Sequence, residues 1–238
     1  IPGADCINTL AMKNKMHFSL VILTWMAWIV PIGLEGQIKE EFDFRALIFA
    51  GQDQYHYKVI PDAIKGLENL SEKYQFKMEW TLSRDIFGSE DLFSYDVVVF
   101  LNANGTALDP AHRENFQRYI RNGGGFVGVH AVTGVDDWEW FNGLIGRRFD
   151  FHPPQQYAVL EVIDKNFPAT MHLPDRIFWT DEWYSFGDAL TDSMHVLITV
   201  TEATYHPEGR YRHDGKPGMG EFHPISWYQE YDGGRSFY

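Results

Sequence analysis

RNGGGFVGVHAVTGVDDWEW, residues 121–140, is the stretch on which the rest of the chain turns. A helix ends in the Gly123–Gly125 run, and the short apolar strand Phe126–Val129 follows it. That strand delivers His130 at its carboxyl end, into a loop carrying Thr133, Gly134, Asp136 and Asp137. In open α/β sheets the carboxyl ends of strands are where loops converge and ligands bind, so a titratable side chain emerging there is well placed for chemistry.

Working back from it, Asp109 and Pro110 mark the start of a helix as N-cap and first residue, with Phe116, Tyr119 and Ile120 on its inner face. Val97–Phe100 is a continuous apolar run, the mark of a parallel strand covered on both faces. Before that come a short helical segment at Asp85–Phe93 and an alternating strand through Phe76, Met78, Trp80 and Leu82. Pro61 opens an earlier helix in which Ile64, Leu67, Leu70 and Tyr74 repeat at helical spacing, and Ala46–Phe49 is a first buried strand. The order strand–helix–strand–helix–strand–helix–strand predicts a doubly wound, mainly parallel sheet.

Beyond His130 the texture changes. Trp138–Ile145 reads as a short helix closed by Gly146. Gln156–Ile163, Val196–Thr201 and Ile225–Tyr231 read as strands joined by loops rich in Pro, Gly and Asp, expected as antiparallel additions to the sheet. Phe237–Tyr238 lies within a further apparent strand. No repeat or low-complexity linker divides this half from the first, so residues 37–238 read as one domain.

Composition removes several classes of function. Hydrophobic residues make up 45% of the 238 and aromatics 16%, enough for a sizeable core. A formal net charge of −13 argues against nucleic acid or an anionic membrane as partner, because both select a basic surface. Cys6 is the only cysteine, so the chain has no internal disulfide and no downstream thiolate nucleophile or cysteine metal site. The Gly123–Gly125 run precedes a strand and lacks a following Gly-Lys-Ser/Thr, so it is not a phosphate loop.

Residues 1–36 read as an upstream extension plus an export signal, with translation expected to start at Met12. Lys13 and Lys15 form a basic start, Phe18–Leu34 is an uncharged apolar run, and small residues follow near Gly33 and Gly36. The expected location is periplasmic or extracellular, with membrane contact only through this segment if it stays uncleaved. The sequence leaves the oligomeric state open.

Several segments together resemble the trehalose-utilisation (ThuA-like) family. They are Tyr95–Gly134 (YDVVVFLNANGTALDPAHRENFQRYIRNGGGFVGVHAVTG), Asp137–Pro153, Phe167–Phe186, HPISWYQEYDGGRSFY at the end, and YHYKVIP at Tyr55–Pro61. The resemblance covers nearly all of residues 45–238 in order. It implies a flavodoxin-like, class I glutamine amidotransferase-like fold, in agreement with the sheet read from the residues. In amidotransferases of that superfamily a Gly-x-Cys-x-Gly turn presents the nucleophile. The corresponding turn here is Gly128-Val129-His130-Ala131-Val132, and an imidazole cannot replace a thiolate in thioester chemistry. The resemblance also implies a Gly-His-containing segment after Tyr238, so the domain is expected to be truncated.

Five side chains are expected to project over the carboxyl edge of the sheet: His56, His130, His152, Glu182 and His223. Histidine titrates near neutrality and suits proton transfer or metal binding, and a carboxylate beside it fixes its tautomer or acts as the opposite partner. His130, Glu182 and His56 are the catalytic candidates. His56, His130, His152 and His223 are candidate ligands for a divalent metal such as zinc, the cofactor otherwise unassigned. Asp136, Asp137 and Asp181 offer acceptors for hydroxyls, and Trp183 and Tyr184 offer rings for a sugar face. The family resemblance implies an exported enzyme of carbohydrate metabolism acting on a small-molecule sugar or glycoside. Its chemistry would be hydrolase- or lyase-type acid–base work, with or without a metal. The alternative is a non-catalytic carbohydrate-binding module of a larger exported protein.

Overall fold

The computed structural model describes residues 44–51, 55–134, 137–187, 190–208 and 217–238. The signal segment, Met12 and Asp136 lie outside the described residues. Among the described residues no helix is long and apolar enough to cross a membrane.

The parallel half is built as the residues predict. Strand β1 (Arg45–Ala50) leads through helix α1 (Ile60–Tyr74) to β2 (Lys77–Thr81). Strand β3 (Val97–Leu101) leads through α2 (Pro110–Arg121) to β4 (Gly125–Val129). The side chain of Asp109 accepts from His112 N at 3.2 Å and caps α2, while Gln75 ends α1 in the left-handed conformation. Between β2 and β3 the expected helix is two 3-10 turns, Arg84–Gly88 and Glu90–Ser94. Ser89 separates them because its hydroxyl accepts from Asp91 N at 3.1 Å and restarts the chain as a cap.

Alternation along the strands decides the layers. Leu47, Phe49, Val98, Phe100 and Phe126 face α2 and the later helix α3 (Glu139–Ile145), forming an aromatic core with Phe87, Phe116 and Phe141. Ala46, Ile48, Ala50, Val99 and Leu101 face the opposite way and pack on Ile60 and Ile64 of α1. Burying each large side chain stabilises the fold by about 1.5–3 kcal/mol.

The second half supplies β5 (Phe149–Phe151), β6 (Gln156–Val162), β7 (Arg176–Asp181), β8 (Ser185–Phe186), β9 (His195–Val200), β10 (Pro224–Tyr231) and β11 (Gly234–Phe237). The main sheet runs β2-β1-β3-β4-β11-β10-β9-β6-β7, while β5 and β8 pair separately. Strands β6, β9 and β10 are antiparallel additions, as expected, and β7 pairs antiparallel with β6. Strand β11 is the seam: parallel to β4 on one side and antiparallel to β10 on the other. Asp232 and Gly233, with φ of 47° and 92°, form the tight turn that reverses the chain from β10 into β11. Three strands, β5, β7 and β8, were not anticipated. β7 is an edge strand with Phe178 and Trp179 exposed, so its burial lacks the alternation that marks a strand, and β5 and β8 are too short to show a period.

At the amino edge of the sheet, Glu79 accepts from Tyr95 Oη at 2.7 Å and pairs with Lys77 at 3.0 Å and Arg45 at 3.1 Å. The Tyr95 hydroxyl first, then Lys77 and Arg45, hold its carboxyl down to about 2. A depressed carboxyl stabilises the fold above its unfolded value and loses that contribution as pH falls toward the folded value. Glu79→Gln is therefore expected to lower the thermal midpoint at pH 7. Melting curves of variant and wild type should converge between pH 4.5 and about 2, and a constant gap across that range would be the contrary result.

Candidate functional site

The carboxyl edge of the parallel half is tightly built. Gly51 ends β1 where any side chain would collide with the Asn102 carbonyl, 2.1 Å from an added Cβ. Asn102 and His130 end the neighbouring strands β3 and β4, with φ of 53° and 54°. Left-handed conformations in residues other than glycine are strained and collect at functional sites. The Asn102 side-chain oxygen accepts from Ala131 N at 3.4 Å, which steadies the turn that carries His130.

Four of the expected side chains converge. Glu182 Oε2 lies 3.6 Å from His56 Nε2, 3.5 Å from His130 Nε2 and 3.7 Å from His152 Nε2. One ligand atom each from His56, His130 and Glu182 lies within 4.8 Å of the others. The elements explain the meeting. His56 follows β1 and His130 ends β4, while the β5–β8 pairing sets His152, just after β5, beside Tyr184, just before β8. The three imidazoles are 20%, 25% and 34% exposed, so the group faces an opening rather than the core.

Hydrogen bonds fix the orientation. His152 Nδ1 lies 2.8 Å from the Pro153 carbonyl, which only accepts, so Nδ1 donates there and Nε2 is aimed at Glu182. Tyr184 Oη bonds His130 Nε2 at 3.1 Å, and its ring stacks on the His130 ring at 4.7 Å. Asp181 accepts from Glu182 N at 2.9 Å and pins the loop that carries the carboxylate. The nearness of the His130 imidazole, helped by His152 and His56, holds the Glu182 carboxyl down to about 2 against the opposing effect of burial.

A metal ion fits this donor set. Glu182 Oε2 is buried and has no hydrogen-bond partner, since its three imidazole neighbours stand at ion-pair rather than hydrogen-bond distance. Ligand atoms on a tetrahedral zinc ion at about 2.0–2.1 Å stand about 3.4 Å apart. The separations of 3.6 and 3.5 Å from Glu182 Oε2 to His56 and His130 are close to that edge length, and the ligand atoms of the three residues all lie within 4.8 Å of one another.

Three expected site residues stand elsewhere. His223 is fully buried, with Nε2 2.8 Å from the Tyr184 carbonyl and Nδ1 2.9 Å from Glu202 Oε1, so no ring nitrogen is left for a metal. Burial is the main cause pushing its imidazole below the ordinary range. Trp183 is buried among Ala158, Leu160 and Tyr205 and donates its indole N–H to the Gln156 carbonyl at 2.9 Å, which removes it as a stacking face for sugar. Asp137 is paired with Arg113 at 3.2 Å on the surface, away from the histidines.

Glu202 was not anticipated. Its carboxylate accepts from Met219 N and Gly220 N, meets His223, and through it braces the Glu182–Tyr184 loop from behind. Nothing in its sequence neighbourhood, Thr201-Glu202-Ala203-Thr204, announces that role, which depends on pairing across more than fifteen residues.

Two cavities open at this edge of the sheet, and residues of the centre line the smaller one. One of about 480 Å³ lies over the ends of β1, β2 and β3, and one of about 340 Å³ lies beside His130, Glu182 and Tyr184 over β4, β10 and β11.

A family model described as ThuA, trehalose utilisation, matches residues 45–238. No curated protein sequence matches the chain. Among solved structures, a ThuA-like protein from Bacteroides uniformis is 27% identical with a TM-score of 0.69, over 82% of this chain and 80% of that one. A ThuA-like protein from Parabacteroides merdae, at 21% identity and a TM-score of 0.62 over 82% and 77%, shares the fold.

Proposed function

The chain belongs to the trehalose-utilisation (ThuA) family, and from that premise we propose that it is a carbohydrate enzyme acting on glycosides through a metal-assisted histidine–carboxylate centre. The observation that carries this reading is the buried Glu182 oxygen ringed by three imidazole nitrogens at 3.5–3.7 Å without a hydrogen bond. His56, His130 and Glu182 would hold the ion, with His152 standing beside the Glu182 carboxylate. A divalent cation there would act as a Lewis acid on a sugar oxygen.

The chain's own groups divide the remaining work. Glu182 is ionised at neutral pH and accepts charge or a proton. His152 donates its Nδ1–H to the Pro153 carbonyl, which keeps Nε2 aimed at the centre. Tyr184 supplies the phenolic hydroxyl in contact with His130 and walls the site with its ring. The turn at His130 has no sulfur, so a hydrolytic or eliminative acid–base step fits better than a covalent thioester.

Elemental analysis of the purified protein beside His130→Ala tests the centre. Near-stoichiometric divalent metal in the wild type and its loss in the variant are expected, along with loss of glycoside turnover. Equal metal in both proteins, or unchanged turnover, would overturn the assignment of His130.

A further inference from the structure

The chain runs from β1 outward to β2 and then crosses back to β3, so the order β2-β1-β3-β4 reverses direction between β1 and β3. Helix α1, which follows β1, packs on one face of the sheet, and α2, which follows β3, packs on the other. The connections part above the strand ends, and such a crevice is where open α/β sheets bind ligands. The cleft of about 480 Å³ lies there, lined by Ala50 and Gly51 at the end of β1 and by Asn102 and Ala103 at the end of β3. None of His56, His130, His152 and Glu182 lines it, so it is a site apart from the proposed centre.

Two side-chain amides in this lining have their direction fixed and their donors unused. Asn102 Oδ1 accepts from Ala131 N at 3.4 Å, and Asn104 Oδ1 accepts from Thr106 N and Oγ1 at 3.1 and 2.5 Å. A backbone N–H can only donate, so each contact settles which end of the amide is oxygen and turns the NH2 group away from it. Neither Nδ2 donates to a described group. Asn102 is only 4% exposed, and its backbone is held in the left-handed region at φ 53°. A donor set so deeply, unpartnered and on a strained backbone, is a feature that collects where ligands bind.

The charged members of the lining decide the class of ligand. Arg84 has no described carboxylate nearer than Asp109, 4.0 Å from its Nε, and the Asp85 carboxylate has no partner among the described residues. An anion entering the cleft would meet Asp85, and a cation would meet Arg84. A hydroxyl suits all four groups, because it accepts from Arg84, Asn102 or Asn104 and donates to Asp85. Leu82, Ala103 and Ala107 supply apolar surface for the C–H groups of a sugar ring.

We propose that this cleft is a second sugar site, which binds one neutral hexopyranose through Arg84, Asp85, Asn102 and Asn104 independently of the metal centre. Its volume falls within the ~300–1,000 Å³ typical of small-molecule sites. The site stands whether or not the centre holds a metal or turns over a glycoside.

The test is an NMR titration of the full chain, as wild type and as Glu182→Gln, with D-glucose, D-galactose, D-mannose and inorganic phosphate. At least one hexose is expected to shift the side-chain NH2 signals of Asn102 and Asn104 in both proteins, with dissociation constants that agree within about twofold. Phosphate should shift neither signal. In the Glu182→Gln background, Asp85→Ala and Asn104→Asp should each weaken hexose binding about tenfold, the effect of losing one hydrogen bond. Asn104→Asp keeps the oxygen that accepts from Thr106 N and removes only the donor. If the amide spectrum shows that Asp85→Ala is unfolded, Arg84→Ala takes its place with the same expected loss. Hexose binding that vanishes in Glu182→Gln would overturn the proposal, because the sugar would then sit at the centre, and would leave the proposed function standing. Binding indifferent to the cleft substitutions, tighter binding of phosphate, or no hexose binding would overturn it as well. Hexose binding with these shifts by protein that holds no metal would support the cleft while the reading of the centre fails.

Discussion

Replacing Glu182 with Gln is expected to empty the centre of metal and to lower turnover by a factor on the order of 10²–10⁴, the range associated with loss of a positioned acid or base. The side chain keeps its size, so packing against the loop is preserved. What changes is the charge at the one oxygen that all three imidazoles face. A neutral amide oxygen is a poorer ligand for a divalent cation than a carboxylate, and the amide nitrogen, if turned inward, brings protons that repel it. Metal content, turnover and the thermal midpoint of the metal-free protein separate the effects. Metal and turnover should fall together while the metal-free midpoint stays close to that of the wild type. Full metal and full turnover in Glu182→Gln would remove the carboxylate from the centre.

His223→Ala is expected to be the most damaging substitution for stability. The ring is fully buried and bridges the Glu202 carboxylate to the Tyr184 carbonyl. The Nδ1–Oε1 contact needs a proton between the two atoms, and Tyr205 Oη stands 3.2 Å from the same nitrogen. Truncation leaves a carboxylate only 12% exposed with the Met219 and Gly220 N–H groups but without its imidazole. Removing one member of a buried pair costs about 3–5 kcal/mol, which for a chain of this size lowers the midpoint by roughly 10 °C or more. Thermal unfolding measures it, and a shift of only a degree or two would show that the dyad is dispensable. His223→Gln, which can still donate to the Tyr184 carbonyl, should recover part of the loss.

The parallel half was legible because each of its signals is local. Val97–Leu101 is apolar throughout because both faces are covered, and Asp109-Pro110 starts a helix by its own hydrogen bonding. The meeting of His56, His130, His152 and Glu182 was legible only as a set of strand ends and loops. Their distances depend on the β5–β8 pairing, which is two or three residues long and carries no periodic signal. His223 was misleading for the same reason. Its position before β10 resembles that of a site residue, but Glu202 and the Tyr184 carbonyl reach it first, and neither pairing is written near it in the sequence. Trp183 likewise had a neighbour that explains it, the Gln156 carbonyl, more than twenty residues away.

The seam strand bears on the order in which the protein becomes itself. β11 follows every other described strand in the sequence, yet it joins the half that holds β1–β4 to the half that holds β6, β7, β9 and β10. Its register with β4 pairs Arg235 with Gly125, a closure across more than a hundred residues, and closures of that length are slow to find. His56 and His130 come from one side of the join, His152 and Glu182 from the other. During synthesis the first half can settle while the rest is still being made, but the four side chains have no common frame until β11 slots in. The proposed centre thus takes shape only once the two halves of the sheet are joined, and a chain that has made β1–β4 alone holds His56 and His130 without His152 and Glu182.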